Sequence, residues 1–324
     1  MRVLVTGGAG FIGSHLVTGL IERGHSVRVL DNMATGSPVN LAHVRDDVEL
    51  IRGSVTCPDT AAKAVAGCEA VYHQAALPSV ARSLQDPLAS NEANVNGTLT
   101  MLVTARNAGV RRFVYAGSSS SYGSNPELPK REEMTPMPKS PYAVAKLAGE
   151  QYCRVFGQLS AMETVCLRYF NVFGPRQNPT SLYAAVVPAF IRLLLDGKTL
   201  TLEGDGTQSR DFTYVGNVVQ ANLRALEASN VSGDVFNVAC GERHDLNFVI
   251  RELADILQVQ PEVVRVPGRA GDVPHSLADI SKARAALGYE PTIHFREGLR
   301  RTVEWYRTEA DRHFAAVAHG AHGA

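Results

Sequence analysis

The sequence predicts an α/β fold, a Rossmann-type doubly wound parallel sheet with a smaller mixed α/β domain. Three observations lead to this prediction. Short β-branched strands alternate with helical segments in the first half of the chain, and a glycine-rich turn joins the first strand to the first helix. After about residue 175, Pro and Gly interrupt the pattern. The length of 324 residues also fits about two domains.

The first strand is the β-branched run at residues 3–5, and apolar residues at helical spacing follow at 12–20. Gly24 then offers a helix stop. Because strands and helices continue to alternate, we expect βαβ units. The further predicted strands are 27–30, 70–73 and 112–116, and the further predicted helices are about 94–108, 215–228, 246–257 and 297–307.

These elements give a domain prediction. We expect the parallel-sheet domain over residues 1–170, with a returning segment near 213–240. The smaller domain is predicted over 171–212 and 241–310. Residues 311–324 are rich in Ala, His and Gly and are predicted to be a flexible tail. The tail histidines lack cysteine or well-placed carboxylate partners, so no metal site is predicted.

Composition excludes several functions. Lys plus Arg and Asp plus Glu both number 32, so the overall charge favours neither nucleic acid nor an anionic membrane. No apolar run approaches the ~20 residues of a membrane span. The five cysteines form no C-x-x-C and are odd in number, which favours free thiols in a reducing compartment. We therefore expect a cytoplasmic protein.

The glycine turn predicts a dinucleotide site. Gly7 makes the tight turn, Gly10 lets a pyrophosphate approach the backbone, and Gly13 lets the helix pack on the strand. The helix N-terminus then offers free N–H groups to the phosphates. Asp31 ends the second strand, where a carboxylate accepts both ribose hydroxyls and repels a 2′-phosphate. The cofactor is therefore predicted to be NAD rather than NADP.

A second motif predicts acid–base chemistry. A serine run, Ser118 to Ser121, follows the strand at 112–116, and Pro141 begins a helix about twenty residues later. Tyr142 and Lys146 are four residues apart on one face of that helix. A nearby ammonium and a cationic nicotinamide lower the pKa of a phenol, which makes Tyr142 a general base. A serine hydroxyl at the strand end would share its proton.

With these motifs, the chain resembles the extended short-chain dehydrogenase/reductases, specifically the UDP-hexose 4-epimerases, from Val3 to about Tyr306. Its nearest subgroup is the bacterial UDP-N-acetylglucosamine 4-epimerases. Further segments that carry the resemblance are residues 168–179 (RYFNVFGPRQNP), Gly204-Asp205-Gly206, Arg210-Asp211-Phe212 and Arg269-Ala270-Gly271-Asp272.

The resemblance implies the roles of individual residues. Ser118, Tyr142 and Lys146 match the catalytic set. The implied NAD-binding residues are Gly7, Gly10, Phe11, Ile12, Gly13, Asp31, Asn32, Ala75, Tyr142 and Lys146. The implied UDP-sugar-binding residues are Ser79, Ser118, Ser119, Ser120, Tyr142, Asn171, Gln177, Ala185, Val186, Arg210, Arg269, Asp272 and Ser276. The family usually has Gly-Asp where this chain has Gly53-Ser54, which puts the adenine contact in doubt.

The resemblance also implies a reaction, in which C4 of a UDP-hexose is transiently oxidised and then reduced from the other face. Dehydratases carry an acidic pair at Ser119 and Ser120, which disfavours that reaction here. Strict glucose/galactose epimerases often have a bulky aromatic residue at the position of Ser276. A small residue there predicts that UDP-GlcNAc and UDP-GalNAc are preferred and that UDP-Glc and UDP-Gal are also accepted.

Other functions remain open on the sequence. A UDP-glucuronate 4-epimerase is the main alternative, with Arg176 or Arg82 as the cation for the sugar carboxylate. A binding module that senses NAD and a dehydrogenase with net redox output are further alternatives. The resemblance also implies a homodimer through a four-helix bundle, made by the helix at 94–108 and the helix of Tyr142. Leu99, Leu102 and Val103 would contribute to that bundle or to packing within one chain.

Overall fold

The computed structural model of the chain describes residues 1–179, 185–267 and 274–320. The strands are β1 (Arg2–Thr6), β2 (Ser26–Asp31), β3 (Val48–Arg52), β4 (Ala70–His73), β5 (Arg112–Ser118), β6 (Glu163–Tyr169), β7 (Val172–Phe173), β8 (Leu200–Glu203), β9 (Ser209–Arg210), β10 (Thr213–Tyr214), β11 (Asp234–Val238), β12 (His244–Asp245) and β13 (Val263–Val266).

The α-helices are α1 (Phe11–Glu22), α2 (Pro58–Val65), α3 (Val80–Gln85), α4 (Pro87–Asn91), α5 (Gly97–Asn107), α6 (Pro141–Leu159), α7 (Val186–Leu195), α8 (Val215–Glu227), α9 (Leu246–Leu257), α10 (Ser281–Leu287), α11 (Phe295–Thr308) and α12 (Ala310–Gly320). A π-helical turn at Glu92–Asn96 joins α4 to α5, and 3₁₀ segments lie at Pro38–Asp47 and Ser119–Tyr122.

Seven parallel strands form the central sheet in the order β11-β6-β5-β4-β1-β2-β3. The strand order reverses beside β1, whose neighbours are β2 and β4. In doubly wound sheets, ligands bind at such a switch point, beyond the carboxyl ends of the strands. The predicted fold class is confirmed, and the predicted strands of the first half lie within this sheet.

Strand β1 shows why these residues form a central strand. Val3 and Val5 pack into one core cluster and Leu4 packs into another, because side chains alternate across a sheet. All three are fully buried. Helices cover both faces, so the strand is apolar at every one of these positions, as parallel sheets require.

A third core cluster lies in the smaller part of the chain. Phe173, Phe212 and Phe295 meet there with ring centroids 5.2 to 6.3 Å apart. Short strand pairs frame this cluster, β7 with β10, β8 with β13 and β9 with β12. Strand β11 and helix α8 instead return to the central sheet, within the range predicted for a returning segment.

Two regions differ from the predicted organisation. Residues 278–289 were assigned to the smaller domain, but Ala278, Ala283 and Tyr289 pack into the cluster that lines the central sheet. Residues 311–320 were predicted to be a flexible tail, but they belong to α12, where Phe314 packs against Trp305 and Tyr306. Residues 321–324 lie outside the described part. Within the described residues, no helix is long and apolar enough to cross a membrane.

Candidate active site

The cofactor cleft opens at the switch point of the sheet. Gly7 has φ +67°, a left-handed conformation that favours glycine. A Cβ on Gly13 would lie 2.1 Å from the carbonyl oxygen of Gly7, so any larger residue would force helix α1 away from the turn. The cleft beside Gly10, at the N-terminus of α1, fits the pyrophosphate of a dinucleotide. The cleft is lined by the predicted residues Gly7, Gly10, Phe11, Ile12, Gly13, Asp31, Asn32, Ala75, Tyr142 and Lys146.

Asp31 holds the ribose end of this cleft. Its Oδ2 accepts the N–H of Ala9 at 3.0 Å and its Oδ1 accepts the N–H of Met33 at 2.8 Å. Burial raises the pKa of Asp31, and both backbone hydrogen bonds oppose this rise. Each oxygen keeps a further lone pair for a hydroxyl donor. The arrangement therefore fits a ribose diol, as the sequence predicts for NAD.

Ser54 lies at the far end of the same cleft, with Gly53 and Val55. Its Oγ accepts the N–H of Thr56 at 3.2 Å and lies 2.8 Å from the Thr56 hydroxyl. The side chain is thus engaged in a local turn and carries no charge. An adenine amino group placed here would meet at most a neutral acceptor.

Helix α6 positions the predicted base. Ser140 caps the helix by accepting the N–H of Ala143 at 3.2 Å, and Pro141 occupies its first turn. Tyr142 and Lys146 then lie on one face and both line the cofactor cleft. The sequence pattern and the local structure agree here because the cap, the proline and the i, i+4 spacing are all short-range features.

Ser118 ends β5 and is close enough to the Tyr142 phenol to lower its pKa. Its Oγ accepts the N–H of Ser120 at 3.2 Å and lies 2.8 Å from the Ser120 hydroxyl. When Ser120 donates to Ser118, the proton of the Ser118 hydroxyl is available for a further acceptor. Burial raises the pKa of Tyr142, and the hydrogen bond from Ser118 lowers it.

Lys146 is buried, and its Nζ donates to the carbonyl oxygen of Ala116 at 2.9 Å. Burial lowers its pKa to about 8. That its ammonium and a cationic nicotinamide lower the pKa of Tyr142 stays a prediction. In the structure, Ser118 also lowers this pKa. Gly149 lets Tyr115 reach the helix, because a Cβ there would lie 2.3 Å from the Tyr115 hydroxyl.

His73, beside the cleft, is neutral. Its Nε2 lies 3.1 Å from Thr98 Oγ1, which gives its own proton to the carbonyl oxygen of Asn94. Nε2 is therefore the protonated nitrogen, and Nδ1 accepts from the Thr6 hydroxyl at 2.8 Å. Burial, with a smaller effect from Lys146, lowers the pKa of His73 to about 3. This residue holds the loop after β4 and is unsuited to take up a proton near neutrality.

A second cleft adjoins the first on the side of the smaller core. Its lining includes Ser118, Ser119, Ser120, Asn171, Arg210 and Ser276, all predicted as sugar-nucleotide residues. Residues distant in sequence meet here, since Asn171 Nδ2 donates to Ser276 Oγ at 3.1 Å. Ser276 Oγ also accepts the N–H of Asp211 at 3.3 Å. Both lone pairs of this hydroxyl are used, so its proton remains as a donor.

Asp211 fastens this part of the site. Its carboxylate accepts the N–H groups of Cys240, Gly241 and Ala278 at 2.9 to 3.1 Å. It is fully buried, and burial raises its pKa to about 7. Two chain segments, residues 240–241 and the segment at Ala278, are thus tied to the residue after Arg210.

The predicted Ala185 and Val186 line a third pocket, which shares Asn171 and Arg210 with the second cleft. Phe190, Leu202 and Phe212 supply its apolar surface, while Glu203 and Gln208 supply polar groups. A nucleobase, which has apolar faces and polar edges, fits such a lining. We did not predict these polar residues from the sequence, although they flank the recognised segments Gly204-Asp205-Gly206 and Arg210-Asp211-Phe212.

The structure does not bring every predicted residue to these clefts. Gln177 Nε2 donates to the carbonyl oxygen of Val172 at 3.2 Å, and Gln177 is not among the described lining residues. Ser79 caps α3 by accepting the N–H of Arg82. Arg176 contacts His43 at 3.2 Å, away from the second cleft. Arg269 and Asp272 lie outside the described residues.

Sequence reasoning also missed residues that the fold brings into the site. Tyr169 lines both clefts, and its hydroxyl lies 3.0 Å from Gln74 Nε2 and 2.8 Å from Asn222 Nδ2. Its position at the end of β6 was a usable signal. Lys139 and His275 line the second cleft, but only the tertiary structure shows this. Among the described residues, no group of three or more His, Cys, Asp or Glu could hold a metal ion.

Taken together, the glycine turn, the acidic ribose site and the Ser-Tyr-Lys set define an enzyme that uses a nicotinamide dinucleotide. The model of the NAD-dependent epimerase/dehydratase family matches residues 3–239. The chain belongs to this family, and its cofactor is NAD.

Relatives across the family cover nearly the whole chain. UDP-glucose 4-epimerase of Mycolicibacterium smegmatis is 38% identical over 314 residues, which cover 96% of this chain and 100% of that protein. Among solved structures, UDP-N-acetylglucosamine 4-epimerase of Methanobrevibacter ruminantium, in complex with UDP-N-acetylmuramic acid, is 38% identical with a TM-score of 0.91, covering 95% of this chain and 98% of that one. UDP-glucuronic acid 4-epimerase of Bacillus cereus, in complex with UDP-glucuronic acid and NAD, is 32% identical with a TM-score of 0.88, covering 95% and 99%.

Proposed function

We propose that this enzyme interconverts UDP-GlcNAc and UDP-GalNAc in preference to UDP-Glc and UDP-Gal, although it also accepts the latter pair. The chain is an NAD-dependent UDP-sugar 4-epimerase. The finer choice of substrate depends on the second cleft. Its single strongest support is Ser276, a small residue that lines this cleft and hydrogen-bonds Asn171.

Ser276 supports an acetamido group in two ways. A serine leaves space where a tyrosine would fill the cleft. Because both of its lone pairs are taken by Asn171 and Asp211, its hydroxyl can only donate. The carbonyl oxygen of an N-acetyl group can only accept, so the two are complementary. A sugar hydroxyl fits the same donor, which agrees with acceptance of the glucose pair.

The proposed mechanism assigns Tyr142, Ser118 and Lys146 as the catalytic residues. Bound NAD supplies a hydride acceptor at C4 of the sugar and a donor for its return to the opposite face. Tyr142 takes the proton from the 4-hydroxyl and later returns it. Ser118, which accepts from Ser120, stabilises the phenolate by donating to it. Lys146 holds the nicotinamide ribose.

The remaining predicted residues have binding roles in this proposal. Arg210 holds the diphosphate through charge-assisted hydrogen bonds. Asn171 lies beside it in the second cleft, where its side-chain amide donates to Asp211 and Ser276 and orders the wall of the site. Ala185 and Val186 contact the uracil side of the substrate. Arg269 and Asp272 are proposed by resemblance to hold the diphosphate and the uridine ribose. The 4-keto sugar must rotate within the site to present its opposite face to the cofactor. The diphosphate must therefore be held firmly and the hexose loosely.

UDP-glucuronate is the second candidate substrate, and one observation favours it. Lys139, an exposed side chain, lines the second cleft, where its ammonium would face a sugar carboxylate. Lys130 also lines this cleft, but its Nζ donates to the carbonyl oxygens of Asn125 and Glu127. Arg176 is turned to His43, so the expected role of this arginine in binding a uronate loses support.

Proton NMR of the purified enzyme with UDP-GlcNAc, UDP-Glc and UDP-glucuronate in separate samples tests the proposal. We expect UDP-GalNAc signals to grow faster than UDP-Gal signals. Ser276→Tyr should lower the rate with UDP-GlcNAc and leave the rate with UDP-Glc unchanged. Ser276→Ala is the control, because it keeps the small size of serine and removes only the hydroxyl. Inversion of UDP-glucuronate alone, lost in Lys139→Ala, would replace the proposed substrate with the second candidate.

We also propose a homodimer through a bundle that includes α6. Helices α3 and α4 pack beside α6 in the same chain. Apolar side chains are exposed along one stripe of α6 at spacings of eight, three and four residues. They are Val144, Tyr152, Val155 and Leu159, with Leu84 and Leu88 nearby. Leu102, one of the predicted contributors, is fully buried within the chain, so intrachain packing accounts for it.

Light scattering of Val155→Glu tests the dimer, since a buried charge at the interface would give monomers. Lys63→Glu on α2, away from α6, is a charge-changing control.

The proposed location is cytoplasmic, in keeping with five free cysteines in the described residues. The proposed division is an NAD-binding domain over 1–170 with the segments near 213–240 and 278–289, and a UDP-sugar domain over 171–212 and the rest of 241–310.

A further inference from the structure

We propose that helix α12 is a latch on the cofactor turn: His313, through Asn40, fixes Ala9 and slows the release of NAD. His313 and Asn40 are positioning residues, since neither lines the cofactor cleft among the described residues. The proposal concerns NAD retention only, so it does not depend on which UDP-sugar the enzyme prefers.

The latch is a chain of hydrogen bonds that ends at the glycine turn. His313 Nε2 lies 2.8 Å from Asn40 Oδ1, and an amide oxygen can only accept, so Nε2 is the donor. Asn40 Nδ2 donates to the carbonyl oxygen of Ala9 at 2.6 Å. The N–H of Ala9 in turn donates to Asp31 Oδ2 at 3.0 Å. The path therefore connects the C-terminal helix to the carboxylate that fits the ribose.

Ala9 is the point where this path meets the dinucleotide turn. It lies between Gly8 and Gly10, is fully buried, and has both backbone polar groups engaged. The N–H of Ser37 also donates to its carbonyl oxygen at 2.9 Å. The segment from Ser37 to Asn40 thus covers the outer side of the turn. Loss of the Asn40 contact leaves a buried acceptor with one donor fewer and a looser turn.

Asn40 is suited to relay this contact. It is buried, and its amide supplies the donor for Ala9 and the acceptor for His313 on one short side chain. The backbone N–H of Asn40 donates to the carbonyl oxygen of Ser37, which fixes the residue in the 3₁₀ segment. An apolar or acidic side chain at this position could not donate to Ala9.

His313 is held on its own side by aromatic packing. Its ring makes edge contacts with Trp305 at 5.3 Å and with Phe314 at 5.3 Å. Helix α12 packs on both α11 and the 3₁₀ segment Pro38–Asp47. Asp311 on the same helix pairs with Arg192 of α7, a contact that does not involve Asn40. The helix is therefore anchored to the smaller core and reaches the 3₁₀ segment beside the cofactor turn through His313.

Exchange of bound NAD against excess etheno-NAD, followed by fluorescence on the holoenzyme without sugar nucleotide, measures the release rate. His313→Ala should raise this rate roughly threefold to tenfold, the effect of one hydrogen bond. Asn40→Ala should raise it at least as much. His313→Gln retains an Nε2 donor and should restore much of the wild-type rate. Asp311→Ala removes an ion pair of the same helix whose carboxylate is 81% exposed, so helix docking should be largely kept, and it is the matched control.

Trp305 gives a second readout, because it is the only tryptophan in the chain and contacts His313. Its emission should respond to NAD addition in the wild type, and this response should disappear in Asn40→Ala. Thermal midpoints of all variants are recorded in parallel. Wild-type release rates in both His313→Ala and Asn40→Ala, or an equal acceleration in Asp311→Ala, would overturn the latch. A lower thermal midpoint alone would show only a structural role.

Discussion

The buried ion pair between Glu150 and Arg168 makes a sharp test of how the catalytic helix is held. Glu150 lies on α6, one turn beyond Lys146, and Arg168 lies on β6. Arg168 Nε and Nη2 each donate to one Glu150 carboxylate oxygen at 2.8 Å. Their side chains are only 3% and 1% exposed. The guanidinium also lies 4.6 Å from the centroid of the Tyr122 ring.

Arg168→Met should be strongly destabilising, because it leaves a fully buried carboxylate without its bidentate partner. Removing one member of such a pair costs about 3–5 kcal/mol in free energy of unfolding. The double variant Glu150→Leu with Arg168→Met should recover most of this loss, since well-packed apolar pairs are often neutral or better at such sites. Arg168→Lys keeps the charge but loses one of the two hydrogen bonds, so it should be intermediate.

Equilibrium urea unfolding, followed by circular dichroism, measures the change for each variant at neutral pH. The surface pair Arg131–Glu127 serves as a control, because Arg131→Met should change stability by less than about 1 kcal/mol. A cost below about 1 kcal/mol for Arg168→Met would refute the reasoning. So would a double variant as unstable as the single one.

Three further predictions concern chemistry and cofactor binding. Tyr142→Phe should lower turnover at least ~100-fold, with NAD content of the purified protein unchanged, because the phenol is the proposed base; turnover near wild type would remove Tyr142 from that role. The pKa of Lys146 is about 8, so its ammonium is lost as pH rises through this value and turnover should fall above about pH 8. Lys146→Arg stays charged and should shift this fall in turnover to higher pH, whereas a fall at the same pH would exclude Lys146 as its origin. Ser54→Asp should tighten NAD binding roughly threefold to tenfold by calorimetry, since a charged acceptor replaces a neutral one, whereas Ser54→Ala should have little effect; equal affinities would show that this end of the cleft does not hold the adenine amino group.

Motifs that are short in sequence were predictable because local geometry controls them. The glycine turn needs a left-handed conformation at Gly7 and the absence of a Cβ at Gly13. Glycine meets both requirements, so the two glycines and their spacing were enough to predict the turn. The placement of Tyr142 and Lys146 follows from the helix period and from the cap at Ser140. The strand–helix alternation likewise predicted a parallel doubly wound sheet and placed four of its seven strands. In all these cases, neighbours within a few residues decide the outcome.

The hydrogen-bond partners of the site side chains were less predictable than the helices and strands that carry them. The sequence predicts that Lys146 lowers the pKa of Tyr142, but not that its Nζ also donates to the carbonyl oxygen of Ala116. Gln177, beside a recognised motif, turns back to Val172. Hydrogen-bond partners of this kind depend on which backbone groups are left unsatisfied nearby. That information exists only once the strands are assembled.

The sequence by itself determined the sheet, the cofactor turn and the Tyr-Lys pair, because periodicity, glycine geometry and helix spacing are local properties. The tertiary structure alone decided that Asn171 and Ser276, 105 positions apart, share a hydrogen bond in the second cleft. It also decided that His313, from an Ala-rich segment with the composition of a frayed tail, reaches Asn40 across 273 positions. The physical reason is that such contacts depend on burial and on the packing of distant elements, which no local pattern of residues records.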